Sequence, residues 1–185
     1  MDKKTRGGGA RAIARYALVC VAIGAAVSGV VLAIVDGADR EPRAPLPPVR
    51  ETQLLRAVQL GGCELRRARG GEQLRPPVDG PRAAPARAQF YDDAPPALQL
   101  TGALRRGVIV ISYRPGLESE RLAQLRSLQS VVPAGTIVTP DTSGMRYEVA
   151  VAAYRRLLGC QRFTDAAIDA IRLFRGRHIG IGPDR

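Results

Sequence analysis

Residues 16–35 form a run of twenty residues without a charged side chain, and this run constrains the chain more than any other feature. Twenty residues of α-helix are about 30 Å long, which is the thickness of the hydrocarbon core of a bilayer. Residues 1–15 contain five cations and one acid, whereas Asp36 and Asp39 follow the run. By the positive-inside rule we predict a single-pass transmembrane helix in the cell membrane, with the N-terminus cytoplasmic and residues 36–185 extracytoplasmic. A cleaved signal peptide is the alternative, although its apolar core has only about 7–15 residues.

The composition on either side of this run divides the chain into parts. Residues 1–15 are a basic cytoplasmic N-terminus, residues 16–35 the transmembrane helix, and residues 36–50 a Pro-rich, charged linker. A linker of that composition is extended and semi-rigid. Residues 51–177 have the apolar periodicity of a folded extracytoplasmic domain, and residues 178–185 form a tail. Small residues recur at four-residue spacing in the apolar run, so a homodimer through the anchor is an open alternative.

The centre of the predicted sheet is Val108–Ile111, a run of four apolar residues bounded by Gly107 and by a Pro-Gly turn. A short β-branched run of this kind predicts a strand that is buried on both faces. A helix over residues 117–131 and a second strand over residues 135–139 follow, and these elements make a βαβ unit with parallel strands. The alternating residues 145–153 predict a third strand, antiparallel to the second.

Helices flank this unit at both ends. Residues 51–60 have one apolar face and end at Gly61-Gly62, and Thr164 caps a last helix. The residues of that last helix that face inward are Ala167, Ile168, Ile171 and Phe174. Residues 155–158 start a helical turn, and residues 64–101 have too few periodic apolar residues for regular structure. The predicted fold class is α/β or α+β, a small mixed β-sheet with packed helices, preceded by one transmembrane helix.

The cysteines predict one disulfide. Cys20 lies inside the apolar run, whereas Cys63 and Cys160 lie in the predicted extracytoplasmic part, where the environment is oxidising. Two cysteines allow a single intramolecular pairing, so we predict a Cys63–Cys160 disulfide, with two free buried thiols as the alternative. Closing a loop of this length contributes on the order of 4 kcal/mol to stability in the chain-entropy model.

The composition argues against several classes of function. The net charge is +11, but the cations are mostly arginine in a chain rich in Ala and Gly, which also indicates a GC-rich genome. Basic residues are not interleaved with aromatic ones, so we predict no nucleic-acid partner. The only histidine is His178, and neither Ser112, inside the predicted strand, nor Ser143, in a turn, has the context of a catalytic nucleophile. Cys63, Cys160 and His178 lack the close spacing of a metal-ligand pair, so we predict neither a metal site nor a cofactor.

The order of several motifs resembles a bacterial family of single-pass membrane proteins, the domain-of-unknown-function family 3105. The matching pieces are Gly62-Cys63, Pro76–Gly80, Tyr91, Gly102–Pro115, Thr136–Pro140, Val149–Tyr154 and Cys160. The resemblance covers residues 51–177. In that family the piece before the buried strand reads His-Ala-Leu-Glu-His-Gly, and these polar residues look like metal ligands or acid–base groups. In this sequence Gly102, Arg105 and Arg106 stand at those positions.

The resemblance therefore implies a retained framework with an abandoned or rebuilt site. Arg105 and Arg106 point to solvent or pair with Asp79, Asp92 or Asp93; the functional alternative is an anion-binding patch. We predict a membrane-anchored extracytoplasmic binding or accessory module, non-enzymatic, whose partner is a protein or another envelope component. Two alternatives stay open. One is an envelope enzyme or metal-binding protein that uses other residues; the other is a cationic domain that docks on anionic lipid or wall polymer.

Overall fold

The computed structural model describes residues 50–68 and 72–184. The predicted cytoplasmic N-terminus, the predicted transmembrane helix with Cys20, and the predicted linker up to residue 49 lie outside the described residues. Among the helices of the described residues, none has the length and apolar character needed to cross a bilayer.

The described residues form four α-helices and one five-stranded sheet. In chain order the elements are α1 (Glu51–Leu60), β1 (Cys63–Arg67), α2 (Ala97–Arg105), β2 (Ile109–Tyr113), α3 (Ser119–Val131), β3 (Thr136–Pro140), β4 (Val149–Ala153), β5 (Arg156–Cys160) and α4 (Asp165–His178). The strand order is β1-β5-β4-β2-β3, in which β2 and β3 are parallel and the other neighbours are antiparallel. The predicted mixed sheet with packed helices is confirmed in its α+β form.

Strand β2 is the buried centre of the packing, as predicted. It lies between β4 and β3, and all five of its residues are buried. Ile109 pairs with Thr136 in the parallel register, which confirms the βαβ unit. Strand β4, however, is antiparallel to β2 and β5 and does not pair with β3, so the predicted neighbour of the third strand was wrong.

Alternate side chains of the sheet enter two separate apolar layers. Helices α1, α3 and α4 cover one face, whose buried strand residues are Ile109, Ile111, Tyr113, Val138, Val149, Val151, Ala153, Leu158 and Cys160. Helix α2 and the segment from Leu74 to Tyr91 cover the other face, whose buried strand residues are Val110, Ile137, Ala150, Ala152 and Leu157. We call these the helical face and the loop face. The sheet has no polar side, which explains why β2 and β4 lack polar alternation.

The predicted helical turn at residues 155–158 is a strand, and the prediction was wrong. Tyr154 and Arg155 form a two-residue hairpin in which Arg155 adopts φ 58°, and β5 begins at Arg156. The sequence hides this strand because β5 is buried on both faces from Leu157 to Cys160 and therefore shows no alternation.

The predicted irregular loop over residues 64–101 contains β1 and most of α2. Strand β1 pairs with β5 along its whole length, from Cys63 opposite Cys160 to Arg67 opposite Arg156. The predicted Cys63–Cys160 disulfide joins the first of these pairs. Strand β1 is too polar and too short to be recognised from its own sequence. It forms because its pairing with β5 stabilises it.

Helix α4 has the predicted N-cap, in which Thr164 Oγ1 accepts a hydrogen bond from the Ala167 N–H at 3.2 Å. All four residues predicted to face inward are buried. The helix continues past the predicted end at Arg175-Gly176 because Arg175 and His178 are buried on the same face. Arg175 donates a hydrogen bond to the Leu128 carbonyl of α3.

The two edges of the sheet differ. Strand β3 is covered by a short bridge, in which the Tyr91 N–H donates to the Val138 carbonyl at 2.8 Å and the Val138 N–H donates to the Gln89 carbonyl at 3.0 Å. Strand β1 forms the opposite edge and has a sequence of Cys-Glu-Leu-Arg-Arg.

Candidate anion-binding site

The residues that the resemblance predicts to replace the family's polar motif lie at the C-terminal end of α2, on the loop face. Gly102 is buried inside the helix, Arg105 is its last residue, and Arg106 is the exposed C-cap. Gly107 then takes φ 81°, which reverses the chain toward β2. Arg105 and Arg106 were predicted to lie where the buried strand begins. They lie instead at the C-terminal end of α2, a helix that was not predicted.

Residues 80–84, which we call the Gly80 segment, pack directly on this helix. The close contacts are at Gly80 in the segment and at Gly102 in the helix. A Cβ on Gly80 would lie 2.7 Å from Thr101 Oγ1, and a Cβ on Gly102 would lie 2.7 Å from the Ala83 carbonyl oxygen. Real Cβ atoms do not approach oxygen so closely without displacing it. Backbone atoms of residues 83 and 84 therefore fill the space into which a histidine at position 102 would project.

Arg105 binds a carboxylate that the sequence analysis did not identify. Its Nε donates to Asp184 Oδ2 at 2.7 Å, and one of its terminal nitrogens donates to Asp184 Oδ1 at 3.0 Å. Arg82 donates to the same Oδ1 from two nitrogens, at 3.1 and 3.2 Å. Two parallel N–H···O bonds are the strongest arrangement between a guanidinium and a carboxylate. Another terminal nitrogen of Arg105 contacts the Gly80 carbonyl at 3.4 Å.

Of the three acids that were expected to pair with these arginines, Asp79 and Asp92 lie against other arginines, and Asp93 has no ion pair with any residue that the structure describes. Asp92 pairs with Arg126 of α3 at 3.2 Å, and Asp79 lies 3.6 Å from Arg155 of the β4–β5 hairpin. Arg106 has no hydrogen bond or ion pair through its side chain to any residue of 50–68 or 72–184. The expectation of solvent exposure therefore holds for Arg106, and the expectation of a loop acid does not hold for Arg105.

The predicted tail is part of the folded structure. The Gly180 N–H donates to the Gly107 carbonyl at 2.6 Å, and the Asp184 N–H donates to the Arg105 carbonyl at 3.0 Å. A Cβ on Gly107 would lie 2.5 Å from the Gly180 carbonyl carbon, so the two segments touch through their backbones. The chain after α4 thus crosses to α2 and places Asp184 against Arg105.

The electrostatics of this site favour a bound anion. Hydrogen bonds from Arg105 and then Arg82 lower the pKa of Asp184 to about 2, although partial burial opposes them. The hydrogen bond to Asp184 raises the pKa of Arg105. The Arg105 guanidinium also lies 5.7 Å from the centre of the Tyr154 ring. Both charges of the pair are therefore present at neutral pH.

A shallow cleft of about 320 Å³ opens beside the pair. Its lining residues are Arg82, Ala83, Gly102, Arg106 and Asp184. Arginine has no lone pair and stays protonated, so it can neither bind a metal ion nor act as a general base. Within residues 50–68 and 72–184, no group of three or more His, Cys, Asp or Glu side chains is placed to hold a metal ion. The chemistry that this arrangement supports is recognition of an anion.

The sequence analysis identified Arg105 and Arg106 but missed the partner Asp184. No local motif points to Asp184, because its contact with Arg105 joins residues that are 79 positions apart. The glycines at positions 180 and 182 were the only available signal, since repeated glycines indicate close backbone approach.

One family comparison covers this region. The family described as Protein of unknown function (DUF3105) matches residues 73–177, which include the Gly80 segment, all of α2 and the sheet except β1. The match ends before Asp184. No curated protein and no solved structure matches the chain.

Proposed function

The chain belongs to the DUF3105 family, and we propose that this member is a non-enzymatic, membrane-anchored extracytoplasmic module that binds carboxylates through Arg82, Arg105 and Arg106. The ligand class is an acidic side chain or chain terminus of a partner protein, or a carboxylate of another envelope component. The framework of the family is kept, and the site is changed from polar side chains of mixed type to guanidinium groups.

The Asp184 carboxylate is the observation that carries this proposal. It receives two hydrogen bonds from Arg105 and two from Arg82, which is how a protein binds a carboxylate ligand. The chain's own terminal segment thus serves as an internal ligand. An external carboxylate would replace Asp184 and would gain the exposed Arg106 at the rim of the cleft.

The non-enzymatic part of the proposal rests on the chemistry of the replaced positions. Gly102 has no side chain, and Arg105 and Arg106 hold their protons throughout the physiological pH range. A general acid or base must exchange a proton near the working pH, which guanidinium groups do not do.

The binding site is tested by chemical rescue in the full chain. Asp184→Asn removes the internal carboxylate, so acetate is expected to bind Arg105 and Arg82 and to raise the Tm of this variant by a few degrees. Acetate should leave the Tm of the unmodified protein unchanged, because Asp184 already occupies the site. The matched control is Asp184→Asn combined with Arg105→Gln, which should lose the rescue.

Two results would contradict the proposal. If acetate raises the Tm of both Asp184 variants equally, the effect is not due to Arg105. If acetate raises neither, the Arg105–Asp184 pair only fastens the terminal segment to α2.

The anchor is supported by the uncharged run of residues 16–35 and by the cations that precede it. Protease added to spheroplasts that express the protein should degrade the domain and leave a small protected fragment containing that run. A domain that is resistant in intact spheroplasts and is degraded only after lysis would place it on the other side of the membrane.

A further inference from the structure

We propose a second anion site, on the helical face of the sheet, that binds a phosphate monoester carried on an apolar body. The site is the cleft that α1 and the end of α4 form with β1 and β5. It shares no lining residue with the carboxylate site on the loop face, so either proposal can fail without the other.

The cleft combines charged and apolar walls in a volume of about 210 Å³. Its cations are Arg66, Arg67, Arg156 and Arg177, and its apolar wall consists of Leu54, Leu55, Leu65 and Phe174. Glu51 and His178 complete the lining. Ligand pockets for larger molecules start at about 300 Å³, so this volume fits a phosphate group with a small apolar substituent.

Two of the arginines are opposed without an acid between them. Arg67 and Arg156 are direct cross-strand partners in the β1–β5 ladder, and both are exposed. Neither has a hydrogen bond or an ion pair through its side chain with another residue that the structure describes. Like charges directly opposite each other destabilise an antiparallel pair. An anion bound between these guanidinium groups would remove that repulsion.

The other two arginines are partly neutralised. Arg66 pairs with Glu72 at 2.6 Å, and Arg177 pairs with Glu51 at 3.2 Å. With Arg66 and Arg177 each paired to an acid, Arg67 and Arg156 together contribute a charge of +2 to the cleft. A phosphate monoester carries about −1.5 to −2 at neutral pH, which matches this charge, whereas a single carboxylate would leave one positive charge uncompensated.

His178 lines the same cleft and packs against its apolar wall. It is 6% exposed, and its ring packs edge-on against Phe174 with ring centres 4.6 Å apart. Its side chain has no hydrogen bond to any residue of 50–68 or 72–184, and its ring nitrogens keep access to solvent, because Thr136 Oγ1 is the one buried side-chain N or O atom of these residues without a partner. A phosphate oxygen in the cleft would give the imidazole N–H an acceptor.

The positive charge of the cleft also contributes to the lowered pKa of His178. Burial first, and then the charges of Arg156 and Arg177, lower its pKa to about 4. A bound dianion would oppose the effect of both arginines. Binding should therefore raise the pKa of His178.

The test uses the full chain in neutral detergent micelles, prepared without a histidine tag. Because His178 is the only histidine of the chain, labelled histidine gives a single NMR resonance that reports on the cleft. Phenyl phosphate is expected to shift this resonance in a saturable way and to raise its pKa. Inorganic phosphate and benzoate, which lack the apolar body or the second charge, should each bind at least tenfold more weakly, a ratio of about 1.4 kcal/mol.

Two arginine variants separate this site from a general effect of positive charge. Arg156→Gln should weaken phenyl phosphate binding by about tenfold, because it removes one charge-assisted contact. Arg162→Gln is the matched control, since Arg162 is also exposed but does not line the cleft, and it should leave the affinity unchanged. The Tm of each variant shows that it is folded.

A His178 resonance that does not respond to phenyl phosphate would overturn the proposal. So would a response that Arg156→Gln and Arg162→Gln weaken equally, because binding would then depend on net charge alone. Once phenyl phosphate binding is established, competition by a short-chain phosphatidate in the same micelles distinguishes a lipid headgroup from a free phosphate monoester.

Discussion

The two arginine groups of this domain differ in how their charge is balanced. On the loop face, Arg82 and Arg105 share the Asp184 carboxylate, and the group forms a closed set of hydrogen bonds. On the helical face, Arg67 and Arg156 oppose each other without an acid and line the same cleft as His178. The net charge of +11 does not show which arginines lack an acidic partner. The positions of the arginines relative to nearby acids do show it.

The two groups also differ in their relation to the family. Helix α2 and the Gly80 segment lie inside the matched residues 73–177. The cleft on the helical face is built partly from α1, β1 and His178, which lie outside them. In the first group both arginines lie inside the match and their partner Asp184 lies outside it, whereas the second group takes arginines from both sides of the boundary.

The largest effect should come from removing the disulfide, because Cys63 and Cys160 hold β1 and therefore one wall of the cleft. The double variant Cys63→Ser/Cys160→Ser should lose about 4 kcal/mol of unfolding free energy, as expected for a crosslink over 97 residues. Urea unfolding measures the loss, and amides of β1 should exchange faster than those of α2. Cys20→Ser is the control, and an equally large loss there would contradict this explanation.

The second-largest effect should be a change of stability with pH that comes from His178, in the cleft of the helical face. In the unfolded chain His178 takes up a proton near pH 6.5, but in the folded chain only near pH 4. The unfolded state therefore binds more protons between these values, and stability falls by about 3 kcal/mol as the pH is lowered through this window. The variant His178→Gln should lose this dependence, which is measured as unfolding free energy between pH 7 and 4. Equal slopes for both proteins would show that His178 is accessible to protons in the folded state.

Gly102 tests the closed group on the loop face. A Gly→Ala change inside a helix normally stabilises it by about 0.5–1 kcal/mol. At Gly102 the sign should reverse, with a loss of about 1–3 kcal/mol, because the new Cβ meets the Ala83 carbonyl. Thermal and urea unfolding measure the change, and Gln99→Ala on the exposed side of α2 is the control. A gain in stability for Gly102→Ala would mean that residues 83 and 84 move away at no cost.

The smallest expected effect is the change in stability when one arginine is removed. It should have opposite signs in the two arginine groups. Arg67→Gln removes one of two opposed charges and should raise stability by a few tenths of a kcal/mol, up to about 1 kcal/mol. Arg105→Gln breaks the pair with Asp184 and should lower the Tm by a few degrees. Added salt should shrink both differences, because it screens exposed charges. A loss of stability in both variants would show that Arg67 has a compensating contact.

The sequence was sufficient where a physical signal is local. The apolar run of β2, the N-cap at Thr164 and the inward face of α4 depend on neighbouring residues, and all three were predicted correctly. The pairing of Cys63 with Cys160 was predictable because only one pairing was open. Strand β1 was missed because it is short and polar and pairs only with β5, and β5 was missed because its buried residues show no alternation.

The same distinction applies to the site. Arg105 and Arg106 were singled out because they replace the polar residues of a motif. Asp184 was not, because its contact with Arg105 is set by the path of the chain after α4. Arg67 and Arg156 are neighbours because of the β1–β5 register. That register could not be predicted, since neither strand was predicted from the sequence.

The different edges of the sheet bear on how copies of this domain can meet. An unprotected sheet edge is a template on which another chain can add a strand. At β3 the bridge from Gln89 to Tyr91 uses hydrogen-bonding groups that such a strand would need. At β1 the exposed Arg66 and Arg67 place positive charge on the edge, and charged side chains on an edge strand disfavour the addition of another strand. When many copies are crowded at one surface, the domain is therefore protected against strand-by-strand aggregation at both ends of its sheet.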